Sequence, residues 1–100
     1  MTITRIEEAG TVTLKAEGWL DTISAPILGE AVAAVEKAET LVLDFEKVEY
    51  MASSGLRQVI IASKKAKELG ARFRLINVDT AVMNIFCITG IDQKLDISAR

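Results

Sequence analysis

The stretch Thr40–Phe45, TLVLDF, is almost continuously apolar, and at this length it is too short for a typical helix. A half-exposed strand alternates apolar with polar residues, so an unbroken run points to a strand covered on both faces in the middle of a partly parallel sheet. Parallel neighbours need long crossovers, and the flanking sequence has the period to supply them. The chain is therefore expected to be a small α/β domain built around this segment.

The remaining elements follow from pattern. In Thr11–Glu17, TVTLKAE, Val12, Leu14 and Ala16 alternate with Thr13, Lys15 and Glu17, which reads as a half-buried strand. Thr2–Glu7 forms a second strand, and a tight turn at Glu8–Gly10 joins the two as an antiparallel hairpin. From Ile23 the period becomes helical, with Ile23, Ile27, Ala31, Val32 and Val35 on one face, Pro26 in the first turn, and Thr22 or Ser24 as cap. A second helix runs from about Ser54 to Leu69 and stops at Gly70. Arg72–Val78 is the next strand, Asp79 caps a third helix, TAVMNIFCIT, that Gly90 ends, and Lys94–Ile97 is a short edge strand. Residues 1–100 thus read as one domain, a mixed, mainly parallel sheet of four to five strands with helices packed on it. Trp19, Met83 and Cys87 read as packing residues.

Composition narrows the function. The chain of 100 residues is half apolar and has a net charge of −2 with scattered signs, which gives no reason to expect nucleic acid or an anionic membrane as partner. Its single cysteine excludes an internal disulfide, its start, MTITRIEEAG, lacks the features of a signal peptide, and no apolar run could insert in a membrane. A cytoplasmic protein is the expectation. There is no histidine, which removes a Ser-His-Asp triad, a histidine base and a histidine metal ligand. Neither GxxxxGK[ST] nor GxGxxG occurs, and the serine pair lacks the preceding glycine of a GxSxG elbow. No enzyme, cofactor or metal site is expected.

What remains is Met51–Leu56, MASSGL, at the start of the second helix. In one reading Ser53 caps the helix and Gly55 relieves crowding against the sheet. In the other the same helix N-terminus, with its free N–H groups and positive dipole end, favours a phosphoryl group on Ser54. At 100° per residue Ser54, Arg57, Gln58 and Ile61 form a strip starting at the serine loop, suited to a partner that a phosphate would repel.

These residues resemble a known family. LVLDFEKVEYMASSGLRQVI looks like the core motif of STAS domains, named for sulfate transporters and anti-sigma factor antagonists. GWLDTISAPIL matches a second motif through Gly18, Leu20, Asp21, Ala25 and Pro26, and FCITGID with Gly90 is similar to the ending of the family's third helix. The resemblance implies an antagonist that binds an anti-sigma factor, itself a serine kinase of GHKL type, and is switched off when that kinase phosphorylates the motif serine and on again by a phosphatase. It implies Ser54 as acceptor, with Ser53 next, and Asp21 nearby. Together with Ala52, Gly55, Arg57, Gln58 and Ile61, Asp21 makes up the candidate partner-binding set.

Two positions depart from the family pattern. Ala52 stands where an aspartate commonly precedes the serine pair, and Arg57 where small residues are usual. Ala52 favours an alternative, an unphosphorylated interaction module serving a transporter or a signalling scaffold. A ligand-binding or weakly catalytic domain is the third reading, and the absent histidines and nucleotide loops leave it little room.

Overall fold

Leu41 to Phe45 are all buried, and Leu41 and Leu43 have no exposure at all. The structure, a computed structural model, describes residues 1–100. The chain runs β1 (Thr2–Glu8), β2 (Thr11–Leu20), α1 (Ala25–Ala33), β3 (Thr40–Met51), α2 (Ser53–Glu68), β4 (Arg72–Val78), α3 (Thr80–Thr89) and β5 (Ile97–Ala99), with a 3₁₀ turn at Ile91–Gln93. The strands lie in the order β1-β2-β3-β4-β5; β1 and β2 are antiparallel and the other pairings parallel. β3 is central, as its unbroken apolar run requires.

Alternation within that run sorts the two faces of the sheet. Leu41, Leu43 and Phe45 enter a single core with Val12, Leu14 and Ala16 of β2 and Leu75 of β4. Leu28 and Val32 of α1, Val59, Ala62 and Ala66 of α2, and Val82 and Phe86 of α3 belong to the same core. Val42 and Asp44 are outside it, on the opposite face, where their register neighbours are Thr13 and Arg74, and Lys15 and Ile76. A buried carboxylate needs partners. Asp44 Oδ1 accepts the Glu46 N–H at 3.0 Å and an Asn77 side-chain N–H at 3.1 Å.

The local signals for β1, β2, β4 and α3 work as expected. Ala9 and Gly10, at φ 49° and 82°, make the two-residue turn that suits the right-handed twist of a hairpin. The Asp79 side chain accepts the Ala81 N–H, and Gly90 closes α3 at φ 76°. α2 ends before Gly70, which has φ 69°.

Four expectations are corrected. α1 begins at Ala25 rather than Ile23, and its buried side is Ala25, Leu28 and Val32, continued by Val35. Ile23 precedes the helix and is 87% exposed, and Ile27 is exposed as well, because the helix packs on the stripe through Leu28 and Val32 rather than on the one through Ile27. Cys87 is exposed although it was expected in the core; α3 is apolar on nearly every side, so only packing selects Val82 and Phe86 as its inner face. Met83 is half-buried against that core. The last strand is Ile97–Ala99, not Lys94–Ile97, since the 3₁₀ turn uses the residues just before Lys94. Trp19 is 62% exposed instead of packed.

Truncation at the centre of β3 should cost most. Leu43→Ala is expected to lower unfolding free energy by about 2–5 kcal/mol, and Asp79→Ala, which removes only the α3 cap and an ion pair with Arg100, by about 1 kcal/mol. Urea unfolding followed by circular dichroism checks both.

Candidate functional site

β2 and β3 end side by side, with Leu20 in register with Met51 and the Ala52 N–H donating to the Leu20 carbonyl at 2.9 Å. Each strand then enters a turn that starts a helix. The loop 21–24 into α1 and Ala52 before α2 are thereby brought together at the carboxyl ends of parallel strands, where α/β folds place their binding surfaces.

The first turn satisfies itself. Asp21 Oδ1 accepts the N–H groups of Ile23 at 3.0 Å and Ser24 at 2.9 Å. Ser24 Oγ accepts the Asp21 N–H at 2.9 Å and donates to the Trp19 carbonyl at 2.6 Å. The Ser24 N–H, then the Ser24 hydroxyl and the Ile23 N–H, hold the Asp21 carboxyl below the usual carboxylate range. Neither Thr22 nor Ser24 makes a side-chain cap for α1; the first-turn N–H groups of Ala25 and Ile27 go instead to the Asp21 and Ser24 carbonyls, and Pro26 has none.

The second turn leaves its hydroxyls free of capping. Ala52, not Ser53, is the cap residue of α2; its backbone is extended, at φ −90° and ψ 174°, and its carbonyl accepts the Gly55 and Leu56 N–H groups at 2.9 and 3.1 Å. Ser53 and Ser54 are the first two helical residues, whose N–H groups have no carbonyl a turn earlier to bond. The first turn of α2 contains no acidic residue. Gly55 is required by close approach: a Cβ there would lie 2.6 Å from Leu20 Cγ and 2.8 Å from Met51 Cγ.

The two turns touch through hydroxyls, with Ser54 Oγ 3.4 Å from Thr22 Oγ1. Asp21, expected near the acceptor, has Oδ1 committed to its own loop, and Thr22 is the residue that meets Ser54. Along α2, Arg57 and Ile61 are exposed, so with Ser54 they form the expected strip. Gln58 is half-buried in the seam with α1, where a Cβ on Gly29 would come within 2.7 Å of its Oε1. A groove of about 850 Å³ lies elsewhere, among Arg5, Gly10, Glu36 and Glu39. No three histidine, cysteine, aspartate or glutamate side chains gather closely enough to hold a metal ion.

Sequence reading missed one feature of this end. Trp19 and Tyr50 pair across β2 and β3 with ring centroids 5.6 Å apart and planes tilted by 52°, and both rings are at least half exposed. They are 31 residues apart in sequence, and only the register of two parallel strands makes them neighbours.

Comparison with known proteins shows the family and the fold. The family model of the STAS domain matches residues 2–100. The anti-sigma-B factor antagonist of Bacillus subtilis (strain 168) is 34% identical over 84 residues, covering 83% of this chain and 77% of that protein. An anti-sigma factor antagonist from Mycobacterium paratuberculosis has the same fold, with a TM-score of 0.89 at 24% identity over 99% of this chain and 86% of that one. The Bacillus cell-fate determinant SpoIIAA in its phosphorylated form shares it too, with a TM-score of 0.75 at 17% identity over 99% of this chain and 93% of that one.

Two outcomes test the geometry of this end. Gly55→Ala is expected to lower stability by about 1–3 kcal/mol through overpacking against Leu20 and Met51, read by urea unfolding. Because the folded-state pKa of Asp21 is depressed, its contribution to stability is fully present at neutral pH. That contribution is lost as pH falls below the ordinary carboxylate range and through the folded value. Asp21→Asn should therefore show a shallower loss of thermal stability than the wild type over that acid window.

Proposed function

The chain belongs to the STAS domain family, and we propose that it is an anti-sigma factor antagonist whose partner-binding end is switched off by phosphorylation of Ser54. The observation that carries the reading is the Ser54 hydroxyl, partly exposed at the start of α2, which makes no capping bond and has the Thr22 hydroxyl as its side-chain hydrogen-bond partner. The 34% identity to an antagonist of an anti-sigma factor supports the same role. That SpoIIAA, with the same fold, exists in a phosphorylated form supports the switch.

The partner is an anti-sigma factor that is also a serine kinase of GHKL type, and a phosphatase reverses its action. The kinase supplies ATP and the catalytic base, and this chain supplies the acceptor. Ser53, one residue nearer the loop, is the secondary acceptor. The contact surface runs from Ala52 through Ser54 and Arg57 to Ile61; Gly55, expected in that set, is buried beneath it against Leu20 and Met51, Gln58 is in the seam beside it and Asp21 holds the adjacent turn. Before transfer, it is a surface of hydroxyls and apolar side chains around one guanidinium. A phosphoserine brings about 1.5–2 negative charges to the middle of that contact. The helix dipole and Arg57 stabilise the dianion on this chain, while the partner loses an apolar contact and meets a charge it does not neutralise.

The purified chain, incubated with ATP and lysate of its own host, should acquire phosphate on Ser54, located by tandem mass spectrometry and absent from Ser54→Ala. The phosphorylated form should bind the anti-sigma factor at least about tenfold more weakly, read by calorimetry. If Ser54 stays unmodified in a lysate that phosphorylates a related Asp-Ser-Ser-Gly domain, Ala52 has disabled the acceptor. The unphosphorylated interaction module is then the correct reading.

A further inference from the structure

β1 is an edge strand, exposed along almost its whole length, and it lacks two common protections of such an edge: it has no proline, and its pairing with β2 has no register break. The hairpin turn decides which of its backbone groups are free. Across a two-residue turn the flanking residues Glu8 and Thr11 exchange both hydrogen bonds, so by alternation Ile6, Thr4 and Thr2 also direct their N–H and C=O groups to β2. Ile3, Arg5 and Glu7 turn theirs outward, to solvent.

We propose that this edge pairs antiparallel with β1 of a second copy of the chain, about a two-fold axis through Ile6. In that register Arg5 lies opposite Glu7 of the other copy, and Glu7 opposite Arg5, so the outward groups of both meet in hydrogen-bonding phase. Opposite charges face each other at both positions. Within one copy Arg5 Nε already donates to Glu7 Oε1 at 2.7 Å; two copies bring both pairs into one alternating cluster. Ile6, which is 40% exposed, meets Ile6 of the second copy at the non-hydrogen-bonded position, where facing side chains are closest.

The competing registers are poorer. An axis at Arg5 makes more backbone bonds but sets guanidinium against guanidinium, and directly opposed like charges are destabilising. An axis at Thr4 leaves Arg5 opposite Ile3 and pairs no charges. An axis between two residues sets outward groups against groups already bonded to β2. The signs along β1 therefore select one pairing, whereas a run of like charge would have blocked them all.

The resulting continuous sheet runs through both copies. Ser54 lies beyond the ends of β2 and β3, off the β1 edge, so both serine surfaces stay free and the dimer is bivalent for whatever binds there. A contact this short buries less than the ~1,000 Å² of a stable interface, so the association is weak and depends on concentration.

Sedimentation velocity from about 10 µM to about 1 mM protein tests the pairing. The weight-average mass of the wild type should rise with concentration toward that of a dimer. Arg5→Glu and Glu7→Arg alone should each weaken association at least about tenfold, and the double exchange, which restores opposite signs across the axis, should recover it. Ile6→Lys should also abolish it, with circular dichroism confirming that each variant is folded. A wild type that stays monomeric at the highest concentration, single reversals that associate as before, or a double exchange that fails to recover would each overturn the proposal. None of these readings depends on phosphorylation or on the anti-sigma factor.

Discussion

Withdrawing five consecutive residues of β3 from water constrains everything else in this fold. Its backbone groups must be paired on both edges, because a buried unpaired N–H or C=O is costly, and β2 and β4 supply those pairs. Its inner side chains need an apolar partner, and all three helices contribute to that core. Its one polar residue is acceptable because the Glu46 N–H and the side chain of Asn77, one residue past its register partner on β4, both donate to it. The hairpin, the crossovers and the covered face all serve that one burial.

The serine end follows from the same strand. β3 runs past the core to Met51, beside the end of β2, and so delivers Ala52 and the start of α2 against the turn that follows Leu20. The approach is so tight that glycine alone fits at position 55. One turn uses up its polar groups on itself through Asp21 and Ser24; the other leaves the Ser54 hydroxyl without a capping role. A loop bonded to itself beside an uncapped hydroxyl, with exposed Trp19, Tyr50 and Arg57 side chains on the same end, fits the partner surface proposed for it.

Legibility followed the range of the interactions concerned. β3, β4, the Asp79 cap and the Gly90 terminus depend on neighbours a few residues away, and the sequence pattern locates them. The serine pair, Gly55 and the Arg57–Ile61 strip were also visible, because a helix start and a helix face are local objects. The inner faces of α1 and α3 were not. Both helices have more apolar residues than one face can hold, so periodicity offers several stripes, and contact with the sheet chooses Leu28 and Val32 over Ile27, and Phe86 over Cys87. Ser53 has good capping chemistry, yet the tether between Ala52 and Leu20 places the cap one residue earlier.

By itself the sequence determined the order and type of the elements, the central place of β3, and the glycine and serine in the first turn of α2, since each depends on burial or backbone freedom at short range. Only the tertiary structure decided that the Thr22 hydroxyl meets that of Ser54, that Trp19 packs at a tilt against Tyr50, and which edge groups of β1 remain unpaired. Those depend on strand register and on the angle at which two turns meet, and both are set by the packing of segments far apart in the chain.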